Sequence, residues 1–178
     1  MALLENDTIR LRALEPEDLD VLYKWENDSN VWHYGSTLTP YSRFVLRDYL
    51  SNTLSNDIFQ SRQLRLIIVE KASQNAIGTI DLYDFDPVNL RAGIGILLDT
   101  DYRRQGFGLQ ALQLMHEYAA QVLFLNQLYV QVPKANFPSY RLFQKSGYKE
   151  TGILELWIKT AEGFVDAYFM QLPLCHLF

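Results

Sequence analysis

Three strand-like segments in succession constrain the fold most, because they lead into a glycine-rich turn and the strongest helical pattern of the chain. Leu64–Lys71 and Ile77–Phe85 contain several β-branched residues, and the polar turn SQNA between them predicts an antiparallel hairpin. Ala92–Asp99 is a third strand, shorter and glycine-rich. From Phe107 to Leu123, apolar residues recur at spacings of three and four. This spacing predicts an amphipathic helix with an inward stripe: Leu109, Leu112, Met115, Ala119 and Val122.

The flanking segments complete the order of elements. Thr8–Leu14 alternates apolar and polar residues as a strand does, and two helical segments follow, the second at Tyr41–Leu54. After the long helix come a strand at Gln127–Val132, a short helix at Pro138–Lys145 and a final strand pair joined by the turn TAEG. The order βααβββαβαββ predicts one α/β domain over residues 1–178. We expect a mixed, mostly antiparallel sheet of about seven strands flanked by about four helices.

Charge and cysteine content exclude several classes of protein. The chain has 178 residues and a formal net charge of −5, whereas binding nucleic-acid phosphates needs a basic face, so we expect no nucleic-acid partner. The acidic balance favours a cationic substrate instead. Cys175 is the only cysteine, which excludes an internal disulfide and fits a cytoplasmic protein. The three histidines and the lone cysteine form no ligand pattern, so we expect no metal.

Membrane association is not expected either. No stretch approaches the ~18 consecutive apolar residues of a membrane span. The first residues, MALLENDTIR, also lack the apolar run of a signal peptide.

The turn before the long helix, DYRRQGFGLQA, formally matches a dinucleotide-binding pattern at Gly106, Gly108 and Ala111. In that pattern the first glycine directly follows the strand, but here the seven residues from Asp99 to Gln105 intervene. The next strand carries no acidic residue at its end to hold a ribose hydroxyl, so we exclude a Rossmann site. A phosphate-binding P-loop is excluded because no Gly-Lys-Ser/Thr follows.

Two interpretations of the turn then stand. It can be a solvated surface loop, as arginine- and glycine-rich turns often are. It can also be an anion site, because a helix N-terminus offers unpaired N–H groups and the positive end of a dipole. Glycines at 106 and 108 would let a phosphate approach the backbone, and Arg103 and Arg104 could add donors.

The surroundings of the turn resemble the acyl-CoA-binding motif of the GNAT N-acetyltransferase superfamily. A strand comes first, followed by Arg103-x-x-Gly106-x-Gly108, the long helix, another strand and a helix that begins at an asparagine. The resemblance extends over nearly the whole chain. TIRLRALEPEDLDVLYKWEND resembles the opening strand and helix of the family, and VPKANFPSYRLFQKSGYKETG resembles its later helix segment. ELWIKTAEGFVDAYFMQLP resembles the closing hairpin of the branch with spermidine and ribosomal-protein N-terminal acetyltransferases.

The resemblance implies a GNAT-like fold whose sheet splays between strands 4 and 5, with acetyl-CoA as co-substrate. The pantetheine arm would pair like an extra strand with Ile96, Leu97 and Leu98. The pyrophosphate would lie on backbone N–H groups and arginines of the turn, and the start of the next helix would also contact the cofactor. These residues are Arg103, Arg104, Gln105, Gly106, Phe107, Gly108, Asn136 and Ser139.

Two departures from the family affect the catalytic groups. Many relatives carry a glutamate base where this chain has Gly93, and a tyrosine acid where it has Phe143. Tyr140, three residues before Phe143, could protonate the leaving thiolate, with Ser139 nearby. Four residues could replace the base, although each has an ordinary structural explanation as well: Asp81, Asp84, Glu155 and His33. Asp81 enters the predicted catalytic set together with Tyr140 and Ser139.

The expected activity is therefore direct attack of a primary amine on the thioester of acetyl-CoA. The acceptor would be a polyamine-like small molecule or a protein N-terminus. The alternative is a catalytically impaired module that binds CoA for a regulatory or binding role, because Gly93 and Phe143 replace the usual catalytic groups. A homo-oligomer is a further expectation from the family.

Overall fold

The computed structural model describes residues 3–29, 39–55, 57–160 and 162–174. In these ranges the chain forms seven strands: β1 Ile9–Ala13, β2 Leu64–Glu70, β3 Ala76–Asp86, β4 Arg91–Leu98, β5 Gln127–Pro133, β6 Lys149–Thr160 and β7 Gly163–Pro173. It also forms five α-helices: α1 Leu19–Glu26, α2 Arg43–Ser55, α3 Ile58–Ser61, α4 Phe107–Gln121 and α5 Phe137–Lys145. Short 3-10 turns at Pro16–Asp18 and Thr100–Tyr102 precede α1 and α4.

The predicted order of elements is confirmed, with one short helix more than expected. That helix, α3, begins after Asp57, whose carboxylate accepts hydrogen bonds from the N–H groups of Phe59 and Gln60. Its four residues make little more than one turn, too few for a helical period to appear in the sequence. Among the described residues, no helix is both long and apolar enough to cross a membrane.

The strands form one sheet in the order β1-β2-β3-β4-β5-β7-β6. All neighbours are antiparallel except β4 and β5, which run parallel. The parallel pair is short, because only Arg91, Ala92 and Gly93 pair with Gln127, Leu128 and Tyr129. Beyond Gly93 the two strands separate, so the splay between strands 4 and 5 is confirmed, and we call this opening the fork.

Helices cover both faces of the sheet, and alternation along the strands gives each face its own core. On one face, α4 and α5 pack on the sheet. Buried side chains of this core come from the strands (Ile80, Ile94, Leu128 and Met170) and from α4 (Leu112 and Met115). On the other face, Leu22 and Trp25 of α1 and Leu50 of α2 pack on Ile67 and Val69 of β2, with Leu97 of β4 at the margin. Residues 93, 95 and 97 of β4 therefore point to the α1/α2 face, while Ala92 and Ile94 point to the α4 face.

The inward stripe of α4 is wider than the spacing predicted. Leu112, Met115 and Ala119 are buried as expected, but Val122 is 44% exposed, so its place in the stripe is wrong. The helix ends at Gln121, and Val122 lies beyond its last turn. The buried face gains Phe107, Ala111, Leu114 and His116, because the helix lies flat on the sheet.

His116 is a buried titratable group on the α4 side of this core. It is 5% exposed, and its Nε2 lies 3.2 Å from the hydroxyl of Tyr148. Burial disfavours the imidazolium and lowers the pKa of His116 from 6.5 to about 4. Because the pKa of His116 is lower in the folded state than in the unfolded chain, the free energy of unfolding is highest above pH 6.5 and decreases as the pH falls toward 4.

We therefore expect the free energy of unfolding to decrease on acidification by more in the wild type than in His116→Gln. The extra loss at pH 5, relative to pH 7.5, should be about 2 kcal/mol, because the unfolded chain takes up a proton that the native core excludes. Urea unfolding of both proteins across this range measures the difference. If the free energies of unfolding of the two proteins changed equally with pH, the pKa of His116 would not be lowered by burial.

Candidate functional site

The open edge of β4 is the most distinctive backbone feature of the sheet. From Ile94 to Leu98 the strand pairs with β3 on one side and has no β5 partner on the other. Gly95, Ile96, Leu97 and Leu98 are half-buried there. An unpaired strand edge presents N–H and C=O groups that an extended ligand can bind as a further strand. The three residues predicted to hold the pantetheine arm, Ile96 to Leu98, lie on this edge.

The arginine- and glycine-rich turn is anchored to the end of β4. The Nε of Arg103 donates to the carbonyl of Leu98 over 2.9 Å, and the side chain of Gln105 donates to the carbonyl of Asp101 over 2.8 Å. Asp99 accepts from Lys24 Nζ at 2.6 Å and from Trp25 Nε1 at 2.9 Å. Contacts from α1 therefore help to fix where the turn leaves the sheet.

The first turn of α4 is left without a side-chain cap. Gly106 precedes it with φ +87, a left-handed conformation that glycine adopts without strain. No side chain of the described residues caps this turn, so the N–H groups of Phe107 and Gly108 keep their hydrogen-bonding capacity for a ligand. The turn and the open edge of β4 are thus adjacent, and Arg103 and Arg104 are both exposed beside them.

The two glycines serve different purposes. Gly106 is needed for its conformation and not for space, since a Cβ there would meet only the side chain of Gln110, at 4.0 Å. A Cβ on Gly108 would lie 3.3 Å from Leu142 Cδ2 and 3.4 Å from Leu98 Cδ1. Gly108 thus lets the first turn of α4 approach both β4 and α5, a packing role that the sequence interpretation did not assign to it.

The start of α5 brings the remaining predicted cofactor residues together. The side-chain oxygen of Asn136 accepts from the N–H of Ser139 over 3.2 Å and caps the helix. Tyr140 lies one turn in, where its hydroxyl donates to Glu150 over 3.0 Å and its ring packs on Tyr168. The hydrogen bond to the Glu150 carboxylate raises the pKa of the Tyr140 phenol above its ordinary value. In this arrangement Tyr140 is a weaker acid toward a leaving thiolate, which needs little help since a thiol ionises near pH ~8.5.

Phe143, at the position of the family tyrosine, belongs to the core. It is 2% exposed, and its ring centroid lies 5.1 Å from that of Tyr148.

Asp81 lies on β3 in a charged cluster that the sequence did not reveal. Its carboxylate accepts from Arg65 Nε at 2.7 Å and Nη2 at 3.1 Å, and Arg65 Nη1 also donates to Glu26 at 2.7 Å. Burial opposes the charge of Arg65, but the attraction and hydrogen bonds of Asp81 raise the pKa of the guanidinium. Because both oxygens of the Asp81 carboxylate are engaged by Arg65, this geometry favours a structural and electrostatic role for Asp81.

Arg65 is one of the residues that were not predicted from the sequence. The signal lay in the strand pairing, which sets Arg65 directly opposite Asp81, but a β-bulge between Ile68 and Val69 shifts this register by one residue relative to the turn. Glu26 could not have been found in this way, since it joins the cluster from α1 through tertiary packing.

The other base candidates lie in different surroundings. Asp84 is exposed in β3 with φ +50, next to an irregularity in the pairing with β4. Glu155 is exposed on β6, three strand positions from β4, or about 14 Å away across the sheet. His33 lies outside the described residues. Within the described ranges, no group of three or more histidine, cysteine or acidic side chains could hold a metal ion.

Gly93, where relatives were expected to carry a glutamate, is covered by a neighbouring ring. Tyr83 pairs with Gly93 across β3 and β4. A Cβ on Gly93 would lie 2.2 Å from Tyr83 Cε2 and 2.4 Å from its Cζ, so the ring fills the space of a side chain at this position. The ring meets that of Tyr129 edge-on at 6.1 Å, and Tyr129 stacks on Phe169 at 5.4 Å. Tyr83 was not predicted from the sequence.

Comparison with known proteins agrees with this geometry. A sequence model of the acetyltransferase (GNAT) domain matches residues 8–149. The spermidine N(1)-acetyltransferase of Escherichia coli strain K12 is 28% identical over 147 residues, which cover 83% of this chain and 76% of that protein. The uncharacterized N-acetyltransferase p20 of Bacillus licheniformis is 27% identical over 172 residues, covering 97% of this chain and 96% of that one.

Solved structures share the fold. The crystal structure of spermidine N-acetyltransferase from Vibrio cholerae in complex with CoA and spermine superposes with a TM-score of 0.85 at 23% identity, covering 95% of this chain and 97% of that chain. A dodecameric structure of the same enzyme gives a TM-score of 0.83 at 20% identity, covering 97% of this chain and 98% of that chain.

Proposed function

This chain belongs to the GNAT acetyltransferase family and transfers an acetyl group from acetyl-CoA to an amine, and we propose that the amine is carried by a small polyamine-like cation. The observation that carries the choice of acceptor is the similarity to spermidine N(1)-acetyltransferase over 83% of the chain. The net charge of −5 supports it, since an acidic protein attracts a cationic substrate.

We propose that acetyl-CoA lies along β4 and ends at α4. The uncapped N–H groups of the first turn of α4 would bind the pyrophosphate, with Arg103 and Arg104 as further donors. The pantetheine arm would run from this turn along Ile96 to Leu98 toward the fork, as an added strand. Asn136 and Ser139 would contact the cofactor from the start of α5.

The reaction needs an uncharged amine. An alkyl ammonium group has a pKa near ~10.4, so it must lose a proton to water or to a protein group before it attacks the thioester carbonyl. The C–N bond then forms and the C–S bond breaks. The nitrogen gives up a second proton, and the departing CoA thiolate takes up a proton to become the thiol. Backbone N–H groups on the open edge of β4 are suited to stabilise the carbonyl oxygen during the attack.

Carboxylates on the α1/α2 face of the sheet support a cationic acceptor. Asp81 and Glu26 lie there around Arg65, and Asp84 follows on the same strand as Asp81. We propose that this face receives the acceptor, with Asp81 as part of its wall, and that Tyr140 and Ser139 lie beside the leaving thiol.

An acceptor panel tests the proposal. With acetyl-CoA as donor, we expect release of the CoA thiol with spermidine or spermine at rates well above those with N-terminal peptides or free amino acids. CoA alone should also raise the melting temperature by mass action. Faster thiol release with N-terminal peptides than with polyamines would indicate that the acceptor is a protein N-terminus. Stabilisation by CoA without turnover would favour the alternative of a CoA-binding module.

We further propose that residues 1–178 form one catalytic domain, that it acts in the cytoplasm, and that copies of it associate. The single cysteine supports the compartment, because a reducing environment needs no disulfide. The dodecameric relative supports association. So does β6, the outer strand of the described sheet, which exposes Ile153, Leu156 and Trp157 together with a free edge.

A further inference from the structure

The ring of Tyr83 lies at the base of the fork, where β4 separates from β5. Tyr83 stands opposite Gly93, and Gly93 is the last residue of β4 to pair with β5. The ring is close to Gly93 along its whole edge, with Cδ2, Cε2 and Cζ all within 2.7 Å of the position of a Cβ. It also approaches Gly95, where the corresponding distance to Cε1 is 3.9 Å. The ring therefore crosses β4 from β3 and carries its hydroxyl toward the fork.

Two glycines make this crossing possible. A side chain at Gly93 would collide with the ring, since the closest approach of 2.2 Å is far below a normal contact. The phenol thus fills the space of a side chain at Gly93, the position where the resemblance predicted a base, but it arrives from the neighbouring strand.

The hydroxyl of Tyr83 is not used in the described part of the fold. None of the described residues forms a hydrogen bond with it, although the ring itself is held by the edge contact with Tyr129. Burial, with the charges of Asp84 and Asp81 nearby, raises the pKa of the Tyr83 phenol, so the group stays protonated and neutral. A neutral phenol oxygen at the fork can accept a hydrogen bond but is no general base.

The position of the phenol fits the reacting end of the donor. If the pyrophosphate binds at Gly106 and the arm follows Leu98 to Ile96, the thioester comes to rest near the base of the fork. Tyr83 and Asp81 lie on the α1/α2 face there, directly opposite Gly93 and Gly95. An amine that enters from this face must pass the phenol before it reaches the thioester.

We propose that the Tyr83 hydroxyl contacts the acceptor amine and positions its lone pair for attack on the thioester carbonyl. This inference rests on the proposed function. The amine, after giving one proton to water, donates an N–H hydrogen bond to the phenol oxygen, while the phenol proton faces water. The lone pair then forms the C–N bond as the C–S bond breaks, and the nitrogen afterwards releases one proton through water to the departing CoA thiolate, so that the products are the N-acetylated amine and the CoA thiol.

The test is Tyr83→Phe, which removes one oxygen and keeps the ring over Gly93. We expect kcat/KM for the preferred polyamine to decrease at least tenfold, while CoA affinity and the melting temperature stay within error of wild type. The matched control is Tyr118→Phe on α4, which removes a phenol oxygen on the opposite face of the sheet and should retain wild-type kinetics.

The outcomes separate the inference from the function on which it rests. If the wild type acetylates polyamines and Tyr83→Phe equals Tyr118→Phe in kcat/KM, the role of Tyr83 is wrong and the proposed function stands. If the wild type acetylates no amine, both are overturned. A decrease that comes with weaker CoA binding would show that Tyr83 supports the cofactor instead, and would also overturn the inference.

Discussion

Gly108→Val is expected to weaken CoA binding at least tenfold, which corresponds to about 1.4 kcal/mol or more of binding free energy. The Cβ alone would lie 3.3 Å from Leu142 and 3.4 Å from Leu98, and the two methyl groups of valine would add to this crowding. The first turn of α4 must then move away from β4, which separates the proposed pyrophosphate site from the proposed pantetheine edge. Isothermal titration with CoA measures the change.

Gly152→Val is the matched control for this substitution. Gly152 lies in β6, three strand positions from β4, and a Cβ there would meet nothing within 4 Å. Both variants should be titrated well below their melting temperatures, so that global unfolding does not imitate lost binding. Equal CoA affinities in the two variants would indicate that the cofactor binds elsewhere.

Arg65→Met is expected to lower the free energy of unfolding by about 2 to 4 kcal/mol. The substitution keeps much of the aliphatic stem but breaks the link to Glu26 and takes the guanidinium from Asp81, and a half-buried carboxylate that loses its counter-charge is costly. The stacking of the guanidinium over the Tyr49 ring, at 5.5 Å, is lost as well. Urea unfolding at neutral pH measures the loss.

Arg43→Met provides the control, because Arg43 forms an ion pair with Asp20 at an exposed position. Such pairs contribute ~0–1 kcal/mol, so this variant should remain close to wild type. A loss at Arg65 no larger than that at Arg43 would mean that the Arg65–Asp81–Glu26 cluster does not hold α1 to the sheet. Asp81 could then be considered again as a proton acceptor.

The order of elements could be predicted from the sequence because each period is strong over its own segment. The alternation in β2 and β3 and the threefold and fourfold spacing in α4 are local signals, and they do not depend on the partner of the segment. The same holds for the turn before α4, which two closely spaced glycines mark locally. Val122 was misplaced because a period does not mark where a helix stops.

The residues at the fork could not be predicted because they meet through pairing between distant segments. Tyr83 reaches Gly93 only in a register with an irregularity between Tyr83 and Asp86, which shifts every later partner. Glu26 reaches Arg65 only when α1 packs on the sheet. Tyr140 is turned toward Glu150 by the docking of α5 on β6 and β7, and its spacing from Asn136 says nothing of that contact.

The most direct measurement of the central claim is the mass of the product formed from acetyl-CoA and spermidine by the purified chain. We expect spermidine with one added acetyl group, formed in step with free CoA thiol, and formed at least tenfold more slowly when Gly108→Val replaces the wild type at limiting acetyl-CoA. Acetyl-CoA consumed without an acetylated amine, or no consumption with any amine of the panel, would contradict it.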